Sequence, residues 1–168
     1  MITFVFGGAR SGKSAYAEKL IEEQGGGIYL ATSEIWDEEM QARVNEHQIR
    51  RNDMWKTIEE PIEIAPIIEQ ASQPMLVDCL TLWISNLMAN EYDIAQETEK
   101  LCQALMKTKS HVVIVSNEVG LGIVPDNALA RSFRDYSGRV NQAVAQVAHR
   151  VLFIAAGLPL ILKDEAYK

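Results

Sequence analysis

Short, continuously apolar runs alternate along this chain with longer segments whose apolar residues recur every three or four positions. Runs of the first kind end at glycines or polar residues and are typical of strands buried on both faces of a parallel sheet. Segments of the second kind predict helices with one apolar face. The predicted strands cover residues 2–6, 28–31, 55–58, 75–78, 112–116, 151–156 and 160–163, and the predicted helices cover 13–24, 37–51, 62–70, 81–90, 94–107 and 127–149.

Strands and helices that alternate in this way predict an α/β fold, a doubly wound and mostly parallel sheet with helices on both faces. The run at 112–116 is the most β-branched and is expected to be a central strand. Gly157, Leu158 and Pro159 turn the chain before its last apolar run, which predicts a C-terminal edge hairpin. With 168 residues and 48% hydrophobic composition, we expect one domain over residues 1–168.

Charge narrows the classes of partner. The chain carries 23 acidic and 16 basic side chains, a formal net charge of −7, so we expect neither nucleic acid nor an anionic membrane as a partner. The first apolar run is too short for a signal peptide, and no stretch approaches the roughly 18 apolar residues of a membrane helix. A cytoplasmic protein without an integral membrane segment is predicted. Cys79 and Cys102 form no CxxC pair and are interpreted as core residues.

The first predicted strand leads into a glycine-rich turn and then into the first predicted helix. The turn matches the phosphate-loop pattern of Gly, four residues, Gly-Lys-Ser at every position. Glycines let backbone N–H groups curl around a polyphosphate, the lysine reaches the β- and γ-phosphates, and the serine hydroxyl holds Mg²⁺. We therefore predict a P-loop NTPase that uses Mg²⁺. We also expect the sheet to be RecA-like and the protein to have no permanently bound cofactor. The predicted nucleotide-binding residues here are Gly7, Gly8, Ala9, Arg10, Ser11, Gly12, Lys13 and Ser14.

Polar residues after other predicted strands are candidates for the same site, because ligands of α/β sheets bind at the carboxyl ends of strands. Asp78 follows an apolar run, where P-loop proteins place a second Mg²⁺ contact, although an Asp that caps a helix is also common there. Thr32 and Ser33 either face the nucleotide or, for Ser33, cap a helix. Glu118 either orients water, metal or substrate or is a surface carboxylate. The apolar, glycine-punctuated loop at 120–125 is suited to closing over a large organic substrate.

The predicted helix at 37–51 carries a basic face. His47 and Arg51 lie on one stripe of this helix, and Arg43 and Arg50 flank it. Guanidinium groups on one face repel one another unless an anion lies among them. This face is therefore either an anion site or a solvated basic face with an incidental histidine.

Several motifs together resemble the bifunctional adenosylcobinamide kinase / adenosylcobinamide-phosphate guanylyltransferase family of cobalamin biosynthesis. The resemblance runs nearly from end to end of the chain, and its longest block is too unusual for P-loop proteins in general. The motifs are GGARSGKS at 7–14, YLATS at 29–33, DEEMQARVNEH at 37–47, WKT at 55–57, DCLTLWISNL at 78–87 and SNEVGLGIVPDNALARSFRDYSGRVNQ at 116–142.

The resemblance implies two reactions at one nucleotide site. In the first, ATP or GTP phosphorylates the hydroxyl of the aminopropanol arm of adenosylcobinamide. In the second, a histidine attacks the α-phosphate of GTP, pyrophosphate leaves, and adenosylcobinamide phosphate resolves the guanylylated enzyme to adenosylcobinamide-GDP. His47 matches that histidine. A ring-like homo-oligomer is also implied, with a trimer as the expected form.

The nucleotide contacts of that family carry over to the phosphate loop and to positions beyond it. Glu59 is expected to accept hydrogen bonds from guanine N1 and N2, which would favour GTP over ATP in the second reaction. Arg50 and Arg51 would take up charge on the phosphate that is transferred. The contacts outside the loop are Thr32, Ser33, Arg50, Arg51, Glu59 and Asp78; Ser14 and Asp78 would contact the metal, and Lys13 and His47 would be catalytic.

Two other functions remain open. A plain P-loop kinase would use His47 only to bind phosphate and would form no covalent nucleotide adduct. A non-catalytic nucleotide switch, or a subunit of a RecA-like ring, would turn over slowly and would not respond to a corrinoid. Neither needs the long motif at 116–142. His111 and His149 match no catalytic position and are expected to be structural or solvated.

Overall fold

The computed structural model describes residues 1–33 and 53–165. Within them, seven strands form one sheet, and helices connect most of them. The strands are β1 (Ile2–Gly7), β2 (Gly27–Ala31), β3 (Trp55–Glu59), β4 (Met75–Asp78), β5 (Val112–Asn117), β6 (Arg150–Ala155) and β7 (Leu158–Asp164). The helices are α1 (Lys13–Glu22), α2 (Ile64–Glu69), α3 (Leu80–Ala89), α4 (Ile94–Lys107) and α5 (Ala128–Val147).

The strand order across the sheet is β3-β2-β4-β5-β1-β6-β7. All neighbouring pairs are parallel except β6 and β7, which form an antiparallel hairpin. β5 lies between β1, which leads into the glycine-rich turn, and β4, which ends at Asp78. The carboxyl ends of β1 to β6 therefore meet at one edge of the sheet, where an α/β fold binds its ligand.

The two faces of the sheet pack against different helices. Val5, Val113 and Val115 share one face and pack with Ala17 and Ile21 of α1. The opposite face packs against α2, α3, α4 and α5 and holds the larger of the two hydrophobic clusters. α3 contributes to it the fully buried Trp83, whose indole N–H donates to the carbonyl of Ile62 at 2.9 Å.

The predicted α/β fold is confirmed, including the mostly parallel sheet, the helices on both faces and the central strand. The helix predicted at 62–70 begins later, because Glu60 Oε1 accepts the N–H groups of residues 62 and 63. The last strand is longer than predicted: β7 begins at Leu158 and includes Pro159, which an edge strand tolerates. The helix predicted at 37–51 lies outside the described residues. No helix within residues 1–33 and 53–165 is long and apolar enough to cross a membrane.

Two histidines hold together the amino-terminal edge of the sheet. His149 Nδ1 accepts the backbone N–H of Ile2 at 3.0 Å, and His111 Nε2 lies 3.1 Å from the Thr3 hydroxyl oxygen. The side-chain amide of Gln24 hydrogen-bonds His111 Nδ1. These contacts fit the structural role expected for both histidines.

Acid is expected to weaken the fold through His111. Burial, together with the charges of the amino terminus and Arg150, lowers the pKa of His111 to about 4, whereas the unfolded chain has a value of about 6.5. Between these values the folded protein binds fewer protons, so stabilisation that is complete above pH 6.5 is lost as the pH falls toward 4.

Urea titrations measure this loss. Discounting for the partial exposure of the ring, we expect the free energy of unfolding to fall between pH 7 and pH 5 by about 1 kcal/mol more in the wild-type protein than in His111→Gln. Equal losses in the two proteins would contradict the prediction.

Candidate functional site

The glycine-rich turn between β1 and α1 has the backbone shape of an anion-binding loop. Arg10 and Gly12 adopt left-handed conformations, with φ of 53° and 95°, and curl the chain before Lys13 begins the helix. Gly12 caps α1 without a side-chain hydrogen bond, and the first turn holds no acidic residue. The first N–H groups of α1 are therefore available to a ligand, and the positive end of the helix dipole favours an anion.

The β6–β7 hairpin packs against this loop. Gly157 donates its N–H to the carbonyl of Ser11 at 2.8 Å, and a Cβ placed on Gly12 would lie 3.2 Å from the Cα of Gly157. A Cβ placed on Gly7 would lie only 2.4 Å from the carbonyl oxygen of Ile154. Glycine is thus required at positions 7 and 12 by the packing of the protein itself.

Three side chains of the loop carry polar groups suited to phosphate. Lys13 Nζ donates to the carbonyl of Gly8 at 3.3 Å, a bond that a phosphate oxygen can replace. The buried Ser11 hydroxyl has no hydrogen-bond partner in the part of the chain that the structure describes, which is costly unless a ligand supplies one. Ser14 lies half-buried in the first turn of α1.

Asp78 lies at the same edge of the sheet, two strands from Gly7. The phenol of Tyr29 donates to Asp78 Oδ2 at 2.6 Å and so orients the carboxylate. α3 begins with Cys79 at its N-cap and no side-chain cap, so Asp78 does not cap the helix. The Asp78 carboxylate and the Ser14 hydroxyl, together with phosphate oxygens and water, would supply the all-oxygen ligands that Mg²⁺ prefers.

The side chain of Thr32 is committed to the protein interior. The residue is fully buried, and its hydroxyl donates to the carbonyl of Cys79 at 2.8 Å and accepts the N–H of Cys79 at 2.9 Å. Asn86 donates to the carbonyl of Thr32 at 2.7 Å. The hydroxyl therefore has no donor left for the nucleotide contact predicted from sequence. Ser33 is half-buried, and its contact stays a prediction.

Glu59 is exposed at the carboxyl end of β3. Four strand spacings separate it from Gly7, about 19 Å at the usual distance between strands. A nucleotide that contacts both residues must therefore lie extended across the carboxyl ends of the strands between them. His47, Arg50 and Arg51 lie outside the described residues, in the segment 34–52 between β2 and β3.

Glu118 organises the loop that follows β5. Its Oε1 accepts the backbone N–H groups of Gly120 and Leu121, the second at 3.0 Å. This use of the carboxylate gives Glu118 a structural task in addition to the substrate-side role, which stays a prediction.

The apolar loop is tied at its other end as well. Arg131, in the first turns of α5, donates to the carbonyls of Pro125 and Asp126 at 3.0 and 2.8 Å. Between these ties the side chains at positions 121, 123 and 124 are exposed, by 98% at Ile123. The structure thus presents apolar side chains on a held backbone at the edge of the sheet where the phosphate loop lies.

A family model described as "Cobinamide kinase / cobinamide phosphate guanyltransferase" matches residues 3–162. The chain belongs to this family. It is 42% identical to the bifunctional adenosylcobalamin biosynthesis protein CobP of Pseudomonas aeruginosa, over 98% of this chain and 99% of that protein. It is 38% identical to the bifunctional adenosylcobalamin biosynthesis protein CobU of Escherichia coli K12, over 97% of this chain and 100% of that protein.

The cobinamide kinase / cobinamide phosphate guanyltransferase family thus accounts for the motifs on which the resemblance rested. The fold is also that of the RadB recombinase, which matches with a TM-score of 0.53 at 14% identity over 90% of this chain and 73% of that one. Such a distant likeness shows the fold alone. The P-loop architecture is confirmed, and the chain is a bifunctional transferase of cobalamin biosynthesis.

The sequence did not single out Tyr29 or Asn117. Tyr29 holds Asp78, and Asn117 ends β5 with its Cα directly beside Gly7 in the register of the sheet. In both cases the sequence pattern that could have identified the residue is its position near the end of an apolar strand. Tyr29 is two residues before the end of β2 and Asn117 is a polar residue at the end of an apolar strand, but the strand order that brings them to the site is a tertiary fact.

Proposed function

We propose that both reactions of this family take place at the phosphate loop described above and that the second proceeds through a guanylylated His47. The observation that carries the proposal is the arrangement at one edge of the sheet. The uncapped start of α1, Lys13 and the carboxylate of Asp78 lie around a loop whose backbone is shaped for phosphate.

The kinase step transfers the γ-phosphoryl group of ATP or GTP to a hydroxyl of adenosylcobinamide. The bond from the bridging oxygen to the γ-phosphorus breaks, the substrate oxygen forms the new bond, and the hydroxyl proton leaves to water. Lys13 moves from the carbonyl of Gly8 to the β- and γ-phosphates and balances their charge. Ser14 and Asp78 would hold Mg²⁺, which would supply further neutralisation of the phosphate oxygens.

The guanylyltransferase step uses His47 as a nucleophile. A ring nitrogen of neutral His47 bonds to the α-phosphorus of GTP while pyrophosphate leaves, and a phosphate oxygen of adenosylcobinamide phosphate then displaces the histidine. Arg50 and Arg51 are one turn from His47 along the predicted helix and would stabilise charge on the phosphate in transfer. They would also keep the imidazole neutral through like-charge repulsion.

Recognition of the two substrates would use two separate places along the same edge of the sheet, the end of the edge strand β3 and the loop after the central strand β5. Glu59 would accept hydrogen bonds from the N1 and N2 donors of guanine, which adenine lacks, when the nucleotide lies extended across the strands. The exposed apolar side chains at 121, 123 and 124 would contact the corrin macrocycle of adenosylcobinamide or its phosphate. Because the loop backbone is tied at both ends, it would lose little further conformational entropy when the substrate binds.

We also propose that the chain self-associates through β7, with the trimer as the expected form. β7 is an edge strand whose outer backbone is unpaired within the described sheet, and Leu158, Leu160, Ile161 and Leu162 are exposed on it. An apolar edge of this kind is usually covered. Light scattering on the purified protein tests this, and a monomer at micromolar concentration would contradict it.

Cytoplasmic location stays a prediction.

The test of the proposed function is a search for the covalent intermediate. The protein is incubated with Mg²⁺, pyrophosphatase and GTP labelled at the α-phosphate, then denatured and assayed for bound label. We expect label that is labile in acid and stable in alkali on the wild-type protein, and none on His47→Asn.

His149→Asn is the matched control. The chain has three histidines, and Asn can still accept the N–H of Ile2, so this variant should be labelled like the wild type. If the wild-type protein carries no label although pyrophosphate is removed, the second step does not use a guanylyl-histidine, and the plain kinase with a phosphate-binding His47 takes its place.

A further inference from the structure

The end of the central strand lies between the two parts of the nucleotide site. β5 has β1 on one side and β4 on the other. In the register of the sheet, Asn117 lies beside Gly7, the first residue of the phosphate loop, while Val115 lies beside Asp78. Asn117 therefore extends one pleat beyond Asp78, next to the start of the phosphate loop.

The side chain of Asn117 is on the nucleotide face of the sheet. Side chains alternate along a strand, so Asn117 shares its face with Val113 and Val115, which pack against α1. The phosphate loop connects β1 to α1 on this same face. The neighbouring Ser116 points to the opposite face, where α5 packs.

The backbone of Asn117 is held from three sides. Its N–H donates to the Thr81 hydroxyl at 2.7 Å, and its carbonyl accepts from Asn141 Nδ2 at 3.3 Å. The next N–H along the chain, that of Glu118, donates to the carbonyl of Gly7 at 2.9 Å. Asn117 is thus fixed relative to the phosphate loop and to the helix that follows Asp78.

The amide of Asn117 itself has no hydrogen-bond partner among residues 1–33 and 53–165, and the side chain is only partly buried. An amide offers two N–H donors without charge, so Asn117 can bind a phosphate oxygen. Because it is uncharged, it does not compete with a metal ion for the nearby carboxylate of Asp78. An aspartate at this position would repel both the triphosphate and Asp78.

We propose that Asn117 Nδ2 donates a hydrogen bond to the γ-phosphoryl group during its transfer to the substrate hydroxyl. This inference rests on the proposed kinase step. The bond between the bridging oxygen and the γ-phosphorus breaks while charge spreads over the equatorial oxygens, and a fixed donor aimed at one of them stabilises that charge. In the guanylyl step the γ-phosphate leaves unchanged within pyrophosphate, so the same donor contributes less.

The experiment compares the two half-reactions in Asn117→Ala. We expect the kinase kcat to fall about a hundredfold, the range found for loss of one preorganised donor, and the rate of histidine guanylylation at saturating α-labelled GTP to change by less than about fivefold. In binding assays with Mg²⁺, the Kd of a non-hydrolysable ATP analogue should rise by about tenfold, as for a lost bond to a charged group, with the Kd of ADP unchanged.

Ser116→Ala is the matched control because it removes a polar group one residue away on the opposite face. The Ser116 hydroxyl is buried and has no partner in the described chain, so this variant should keep both activities and both affinities. Asn117→Gln, which restores an amide on a longer stem, should recover part of the kinase rate.

The outcomes separate the inference from the proposed function. Equal losses in both half-reactions, or equal loss of affinity for ADP and for the ATP analogue, would show a structural role and overturn the proposal for Asn117. Absence of a guanylyl-histidine in the wild type would remove the second step alone, since kinase kcat and the two affinities still test Asn117.

Discussion

Lys13→Ala is expected to lower kcat/KM about a hundredfold to a thousandfold in the kinase reaction and in guanylylation alike, as for loss of a principal electrostatic contact to the reacting phosphates. Lys13 is the lysine of the phosphate loop, and its bond to the Gly8 carbonyl shows that Nζ already reaches back over the loop. In the proposed function, both reactions would place a triphosphate there. Initial rates of ADP formation and of pyrophosphate release, measured over a range of nucleotide concentrations, test the prediction.

Lys19→Ala is the control for charge and helix content. Lys19 lies on α1 two turns farther on, is exposed, and pairs with Glu23 only at 3.9 Å, a contact of little energy in water. This variant should keep both rates. If Lys13→Ala loses one reaction and keeps the other, the two reactions do not share the phosphate loop, and the single nucleotide site is wrong.

The phosphate loop could be predicted from the sequence because its chemistry is local. The glycines, Lys13 and Ser14 occupy a continuous stretch, and strand and helix lie immediately before and after it. The central position of β5 could be predicted equally well. The run from Val112 to Val115 has no polar residue, and such a run is stable only with a strand on each side and helices packed on both faces of the sheet.

The sequence could not predict the side-chain contacts that depend on which strands are neighbours in the sheet. Thr32 follows a buried strand just as Ser33 does, and only the packing of α3 shows that its hydroxyl is taken up by Cys79. Glu118 was predicted either to orient water, metal or substrate or to be a surface carboxylate, and the sequence did not show that its Oε1 accepts the N–H groups that follow it. Asn117 reaches the site because β5 lies between β1 and β4.

These contacts also fit the proposal that one edge of the sheet serves both reactions. Asp78 is fixed through Tyr29, and Asn117 through Thr81 and Asn141. The groups proposed to act on the γ-phosphate are therefore held by strands and helices of the core. The proposed nucleophile His47 belongs instead to the segment between β2 and β3, close to Glu59 in chain order. This separation would let one part of the chain bind the base and the α-phosphate while another binds the γ-phosphate.

Gly7→Ala is expected to damage both the fold and the site. The new Cβ would lie 2.4 Å from the Ile154 carbonyl oxygen and 3.0 Å from Ser11 Oγ. The first neighbour is backbone and cannot rotate away, so β1 and β6 must separate or the loop must shift. Overpacking of this kind costs about 3 kcal/mol, which corresponds to about 10 °C in Tm for a chain of this size. Calorimetry and urea titration measure the loss, and nucleotide affinity should fall with it.

Gly8→Ala distinguishes packing strain from a general intolerance of side chains in the loop. A Cβ on Gly8 meets no atom within 4 Å, and the φ of Gly8 is not among the left-handed ones. The free energy of unfolding of this variant should therefore lie within about 0.5 kcal/mol of the wild-type value, as for substitutions that create no strain. Because the free space at Gly8 is where phosphate is expected, its nucleotide affinity should fall although its Tm does not. A stable Gly7→Ala protein with wild-type affinity would mean that the Ile154 backbone yields, and that the hairpin does not fix the loop.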